Sequence, residues 1–161
     1  MPVFYKGVND EITYAALVDN INATPYFYPE YKAQSYADFV FNLLVGIVNN
    51  QDIVLKDFLA PEINKSEQKI QVAIKLDSVK ELIEKITFSS SKVGVYSSGS
   101  EGPPKLIYQP IQRLMQSVRI EDRYQNTSWG FTYNPVHSAG IQVLLQVLAN
   151  VSTLIDLHEG R

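Results

Sequence analysis

Val95-Tyr96-Ser97-Ser98-Gly99-Ser100-Glu101-Gly102-Pro103-Pro104-Lys105 decides how the rest of the chain is read. It is a small, hydroxyl-rich loop between two strand-like segments, Lys92 to Ser97 before it and Leu106-Ile107-Tyr108 after it. Gly99 and Gly102 let backbone N–H groups approach an anion closely, the serines add donors, and Lys105 adds a positive charge. Those are the parts of a phosphate cradle; the bland alternative is a Gly/Ser surface turn. Three better-known motifs fail here. Gly94 and Gly99 have the spacing of a Walker A loop, but Ser100 stands where its Lys is required. A dinucleotide fingerprint needs three glycines opening a long helix, whereas a proline pair and a strand follow. Ser98-Gly99-Ser100-Glu101-Gly102 comes near a nucleophile elbow, yet Ser98 replaces the first glycine and Pro103-Pro104 blocks the following helix.

Working outward, Thr13 is placed to cap a helix from Tyr14 to about Asn22, which Pro25 and Pro29 stop. The aromatic stretch Tyr26-Phe27-Tyr28-Pro29-Glu30-Tyr31 reads as a packed loop over part of the core, with an aromatic ligand platform as the alternative. Ser35 and Asp38 make a capping-box-like start for a helix that is apolar almost all round: Phe39, Val40, Leu43, Leu44, Ile47 and Val48. Asp52 to Asp57 has the composition of a buried strand, and Lys69 to Ile74 is a second candidate. Ser78 and Glu81 start a helix through Ile86 whose inner stripe is Val79, Leu82, Ile83 and Ile86. After the loop, the pattern predicts a helix over 111–118, a strand over 129–133, a helix over 140–149 and a strand over 152–157. Strands and helices alternate from residue 52 onward. The fold class is therefore α/β, with a mostly parallel sheet flanked by helices, because parallel neighbours need crossover connections.

The 161 residues, with 45% hydrophobic side chains, suffice for one domain with a proper core. No internal repeat or interdomain linker divides them. There is no Cys, which excludes disulfides, zinc ribbons, iron–sulfur clusters and thiol nucleophiles, so only oxygen or His ligands remain for a metal. Lys and Arg number 14 against 17 Asp and Glu, a net charge of −3 without a basic run, so nucleic acid is not an expected partner. The N-terminus lacks the basic and apolar segments of a secretory signal, and Phe39 to Val48 is too short to span a bilayer. A cytoplasmic location is the expectation.

The loop resembles the signature of the AMP-forming adenylating enzymes: acyl-CoA synthetases, acyl-carrier-protein ligases and peptide-synthetase adenylation domains. Their pattern is a run of Ser, Thr and Gly closed by Pro-Lys, and Ser97, Ser98, Gly99, Ser100, Glu101 and Gly102 followed by Pro104 and Lys105 are similar to it. A second region agrees. Asn134-Pro135-Val136-His137-Ser138-Ala139-Gly140 before the apolar run Ile141 to Leu148 resembles the family's Pro, His and Gly turn into a helix. The turn and strand Ala149 to Ile155 and the entry Ile12-Thr13-Tyr14-Ala15-Ala16-Leu17 are also similar to family landmarks. On its own, His137 also reads as a core histidine bonding a carbonyl.

The resemblance implies an ATP-dependent carboxylic acid ligase that forms an acyl-adenylate and then a thioester, with ATP and Mg²⁺. Ser97 to Gly102, Pro104 and Lys105 are then the ATP phosphate-binding residues, and His137, Trp129 and Gly140 border the acid pocket. No residue here is implied as catalytic, and none as a metal ligand. The later family segments, those for adenine and ribose and the C-terminal domain with its Lys, are not found before Arg161. The whole chain, 1–161, thus reads as one α/β domain, an N-terminal segment of a larger adenylating enzyme that is inactive alone. Expected partners are a carboxylic acid, CoA or a carrier protein, and either a complementary C-terminal polypeptide or a second copy. The competing reading is a non-catalytic α/β subunit or phosphate-binding interaction domain.

Overall fold

The structure is a computed structural model and describes residues 1–56, 68–97 and 105–157. Along the chain run β1 (Val3–Lys6), β2 (Glu11–Thr13), α1 (Tyr14–Ala23), β3 (Tyr26–Phe27), β4 (Glu30–Tyr31), α2 (Tyr36–Val48), β5 (Ile53–Leu55) and β6 (Ile70–Gln71). Then come α3 (Val79–Thr87), β7 (Lys92–Tyr96), β8 (Leu106–Pro110), α4 (Ile111–Met115), β9 (Ser128–Phe131), α5 (Ser138–Ala149) and β10 (Thr153–Asp156). Three helix starts follow from one device, a hydroxyl that accepts a first-turn N–H. Thr13 Oγ1 accepts from Ala16 N at 3.1 Å, Ser35 Oγ from Asp38 N at 3.2 Å, and Ser78 Oγ from Glu81 N at 3.2 Å. Glu81 reaches back to the N–H of Asp77 at 2.7 Å, one residue before the position a strict capping box uses.

Two four-stranded sheets and a two-stranded β3–β6 ribbon carry the described strands. The first sheet runs β4-β5-β7-β8, parallel through β4, β5 and β7, with β8 antiparallel on β7. The second runs β2-β1-β10-β9, and there β1 pairs parallel with β10, and β10 with β9. The α/β class with mostly parallel strands flanked by helices is thus the fold found, divided between two sheets.

Several local expectations need correction. The N-terminal residues form β1 and β2, because Tyr5 aligns with Leu154 far along the chain, a pairing that no local pattern announces. The aromatic stretch holds β3 and β4 rather than plain loop. The helix expected over 111–118 ends at Met115.

Helix α2 is buried at Phe39, Val40 and every residue from Asn42 to Val48, as its uniform apolarity requires. Its one polar member in that run is satisfied: Asn42 Nδ2 donates to Tyr28 O, and Tyr28 N–H donates to Asn42 Oδ1, both at 3.0 Å. Tyr28 stacks on Tyr31 at 5.2 Å between centroids, and the Tyr31 hydroxyl donates to Asp38 at 2.6 Å. The aromatic stretch is therefore clamped to α2, and these two rings face each other.

Across the second sheet, Tyr14 is fully buried. Its hydroxyl donates between Ser152 O at 2.8 Å and Val147 O at 3.1 Å. Helix α5 ends with Val151 N–H on Leu148 O and Ser152 N–H on Val147 O, at 3.2 and 3.0 Å. This is a Schellman ending in which Val151, at φ 51°, occupies the left-handed position that favours glycine. No helix among the described residues is long and apolar enough to cross a membrane.

Candidate functional site

The hairpin β7–β8 sets the ends of the signature loop. Register runs Lys92↔Pro110, Gly94↔Tyr108 and Tyr96↔Leu106. One step beyond, Ser97 N–H donates to Lys105 O at 2.8 Å, and Lys105 N–H donates to Ser97 Oγ at 2.9 Å. Ser97 and Lys105 therefore close the neck of the loop, and Ser97 uses its hydroxyl as an acceptor to do so. The intervening candidates Ser98, Gly99, Ser100, Glu101, Gly102 and Pro104 lie outside the described residues. Lys105 is exposed and forms no ion pair among the described residues.

The second motif builds the start of α5. Asn134 folds the turn: its Oδ1 accepts from Val136 N at 3.1 Å and its carbonyl accepts from His137 N at 3.2 Å. His137 is the N-cap residue, with extended backbone and no side-chain capping bond. Its side chain is exposed rather than packed in the core. The helix entrance thus keeps its backbone N–H groups uncapped by His137, and with them the partial positive charge of a helix start. Gly140 is buried beneath the turn, and a Cβ there would stand 2.6 Å from Asn134 O and 2.8 Å from Pro135 Cα. Only a residue without a side chain lets α5 approach so closely.

One hydrogen bond joins the two motifs. Gln109, on β8 four residues after Lys105, donates from Nε2 to Ser138 Oγ at 2.7 Å, in the first turn of α5. The strand that leaves the loop is thereby tied to the helix that begins after His137. Gln109 carries no motif, and a polar residue facing inward on a short strand was the only trace of it in the sequence.

Trp129 stands apart from this link. It lies on β9, half-buried, with Nε1 donating to Thr127 Oγ1 at 3.1 Å and its ring tilted against Tyr124 at 5.6 Å between centroids. No hydrogen bond or ring contact connects it to His137. A cavity of about 590 Å³ opens between Pro2, Ile120, Asn126 and Asn150, and it touches none of the expected site residues. No group of three His, Asp or Glu side chains that would hold a metal occurs among the described residues. The described residues supply no cage of their own for Mg²⁺, an ion that usually keeps waters and substrate phosphates as ligands.

By sequence, no protein-family model and no curated protein matches the chain. By structure it is similar to o-succinylbenzoate CoA synthetase, MenE, from Bacillus subtilis bound to its product analogue OSB-NCoA, with TM-score 0.64 and 13% identity over 96% of this chain and 41% of that one. It is similar to the same synthetase in complex with the acyl-adenylate intermediate OSB-AMP, with TM-score 0.64, 11% identity and the same coverage. It is also similar to ATP-bound MatB from Rhodopseudomonas palustris, with TM-score 0.59 and 10% identity over 95% of this chain and 41% of MatB. The fold is that of the N-terminal part of adenylate-forming enzymes, and the chain spans about two fifths of the length of the structures it matches.

Proposed function

We propose that this chain is the N-terminal part of an ATP-dependent carboxylic acid ligase and carries the loop that holds the nucleotide's phosphates. The observation that carries this reading is the closed Ser97–Lys105 neck, whose outgoing strand is bonded through Gln109 to the entrance of α5. The fold shared with enzymes solved with ATP, an acyl-adenylate and a CoA analogue supports it.

In this reading the acid's carboxylate attacks the α-phosphate of ATP, the α–β anhydride bond breaks and pyrophosphate leaves, giving an acyl-adenylate; a thiol then displaces AMP to give the thioester. Charge develops on the phosphate oxygens, and the chain's task is to position and stabilise it. Lys105 places a cation at the loop's exit, and Ser97 fixes the neck by accepting its N–H. The remaining loop residues, Ser98 to Gly102 and Pro104, complete the cradle. His137 and Gly140 form one wall of the acid pocket, with Trp129 further along β9. Mg²⁺ would be held by the nucleotide's phosphates and water and would neutralise charge there. Catalysis requires the remaining portion of the fold, supplied by further polypeptide, and the acceptor is CoA or a carrier protein in the cytoplasm.

Calorimetric titration of this chain with ATP tests the binding step, and ATP–pyrophosphate exchange over a panel of carboxylic acids tests the chemistry in the presence of the complementary polypeptide. Lys105→Ala is expected to weaken ATP binding about tenfold, the loss of one charge-assisted contact of about 1.4 kcal/mol. Unchanged affinity in that variant, together with no exchange in the complemented form, refutes the ligase reading. A non-catalytic subunit is the second reading; it expects ATP affinity without exchange.

A further inference from the structure

Among the described residues strand β8 is the last strand of its sheet, and its register shows which of its backbone groups have no partner there. Ser97 and Lys105 are a bonded pair, and Ile111 N–H donates to Ser91 O at 3.0 Å. In an antiparallel ladder the bonded pairs alternate, so Ile107 and Gln109 turn their backbone groups toward β7, while Leu106, Tyr108 and Pro110 turn theirs outward. Two N–H groups, those of Leu106 and Tyr108, therefore stand unpaired among the described residues along this edge, with their carbonyls. Pro110 has no N–H, and the N–H of Lys105 is already held by Ser97 Oγ. The usable edge is bounded on both sides.

The side chains beside it are apolar and open. Leu106 is 38% exposed, Ile107 and Tyr108 are each 48% and Tyr96 is 41%. Leu106 and Tyr108 lean over Gly94, where both lie 3.1 Å from the place a Cβ would take, and so share one face with Tyr96. Ile107 is on the other face. Leu106 to Pro110 contains no charge. An uncharged edge with free donors is a template for another strand.

We infer that β8 pairs antiparallel with β8 of a second copy of this chain, about a two-fold axis through Ile107. In that register Leu106 lies opposite Tyr108 of the second copy and Tyr108 opposite its Leu106. All the free N–H and C=O groups of both residues are then used. Centring on Tyr108 instead sets the Leu106 carbonyl against Pro110, which has nothing to donate. The Ile107 register also places Lys105 opposite Gln109 rather than a like charge. The apolar faces join Leu106 to Tyr108 across the axis, and the two four-stranded sheets become one.

The area sets the strength. Taking about 200 Å² for a side chain of this size, the four exposed residues offer at most roughly 350 Å² per copy, or about 700 Å² for the pair. Stable complexes begin near 1,200 Å², so the dimer is a weak one that forms only at high protein concentration.

Sedimentation equilibrium from about 10 µM to 1 mM, with amide exchange read by NMR, tests this directly. A monomer–dimer equilibrium is expected in which Leu106 and Tyr108 amides gain protection as concentration rises, while Ile107 and Gln109 amides are protected throughout. Ile107→Lys sets two ammonium groups face to face at the axis and is expected to raise Kd more than tenfold. Tyr108→Pro removes one outward N–H and leaves the β7 bonds untouched, with the same expected effect. Circular dichroism establishes that each variant is folded. A chain that stays monomeric at 1 mM, or a dimer in which folded forms of both variants keep the original Kd, overturns the proposal. The outcome does not depend on nucleotide binding.

Discussion

Replacing Gly140 by Ala separates two opposed effects at the entrance of α5. Helix propensity alone favours Ala over Gly by about 1 kcal/mol. Against it stands the geometry: the new Cβ would lie 2.6 Å from Asn134 O and 2.8 Å from Pro135 Cα, both backbone atoms. Reaching ordinary contact at about 3.4 Å requires the helix or the turn to withdraw by about 0.8 Å. The turn is held by Asn134 bonds to Val136 and His137, so it does not yield like the end of a long side chain. Overpacking of this kind costs about 1–3 kcal/mol, and adding the lost hydrogen bonds of the turn brings it to about 3. The expected net is a loss of about 2 kcal/mol, or roughly 4–8 °C in Tm for a chain of this length. Thermal melts and urea titration of Gly140→Ala measure it. Ala139→Gly is the control: this exposed neighbour feels propensity alone and should cost about 1 kcal/mol. If Gly140→Ala raises stability by about that amount, the close approach of α5 to the Asn134-Pro135 turn is wrong. Under the proposed ligase reading the same variant should also lower acid affinity in the complemented form, because His137 moves with the turn.

Tyr14→Phe removes the hydroxyl shared by Val147 O and Ser152 O and is expected to cost about 1–2 kcal/mol near neutral pH. Burial raises the Tyr14 pKa above its ordinary value of 10.0, so the unfolded chain ionises first. The stabilisation is full below pH 10 and falls as pH climbs through and beyond it, by about 1.4 kcal/mol per unit; urea midpoints against pH should show a shallower alkaline decline in Tyr14→Phe. Val151→Gly relieves a branched side chain held at φ 51°, worth about 1–2 kcal/mol, while giving up a half-buried side chain. A Tm equal to or slightly above the parent is expected in calorimetry, and a fall of more than about 1 kcal/mol would refute the strain argument.

What could be read from the sequence was local. The caps at Thr13, Ser35 and Ser78 are found where the hydroxyls lie one turn ahead of apolar runs. The loop's flanking strands and the Asn134 to Gly140 turn carry their own residue signatures. What escaped depended on distant pairing. β1 is four residues long and acquires its identity from β10, and its Val3-Phe4-Tyr5 has no helical or alternating context of its own. β3 and β4 have two residues each, too few for any period to register. Gln109 became legible only when Ser138 arrived beside it, because a single polar residue on a strand has no pattern to detect. The placement of Trp129 on β9 and of His137 at the N-cap of α5 likewise follows from pairing with β10 and from the Asn134 turn, not from either residue alone.

The parallel union of β1 with β10 also dictates an order of events. Thr153 donates to Val3 O at 2.9 Å and Tyr5 donates to Asp156 at 2.7 Å, contacts between residues about 150 positions apart. Synthesis, at about 5–20 residues per second, delivers β1 well before β10. For most of that time the nascent chain must carry β1 and β2 without their neighbour, while the β4-β5-β7-β8 sheet is already able to assemble. Closure of the second sheet therefore comes after that of the first, slowed by the long loop it must gather, and β1 and β2 are the strands most in need of shelter on the ribosome.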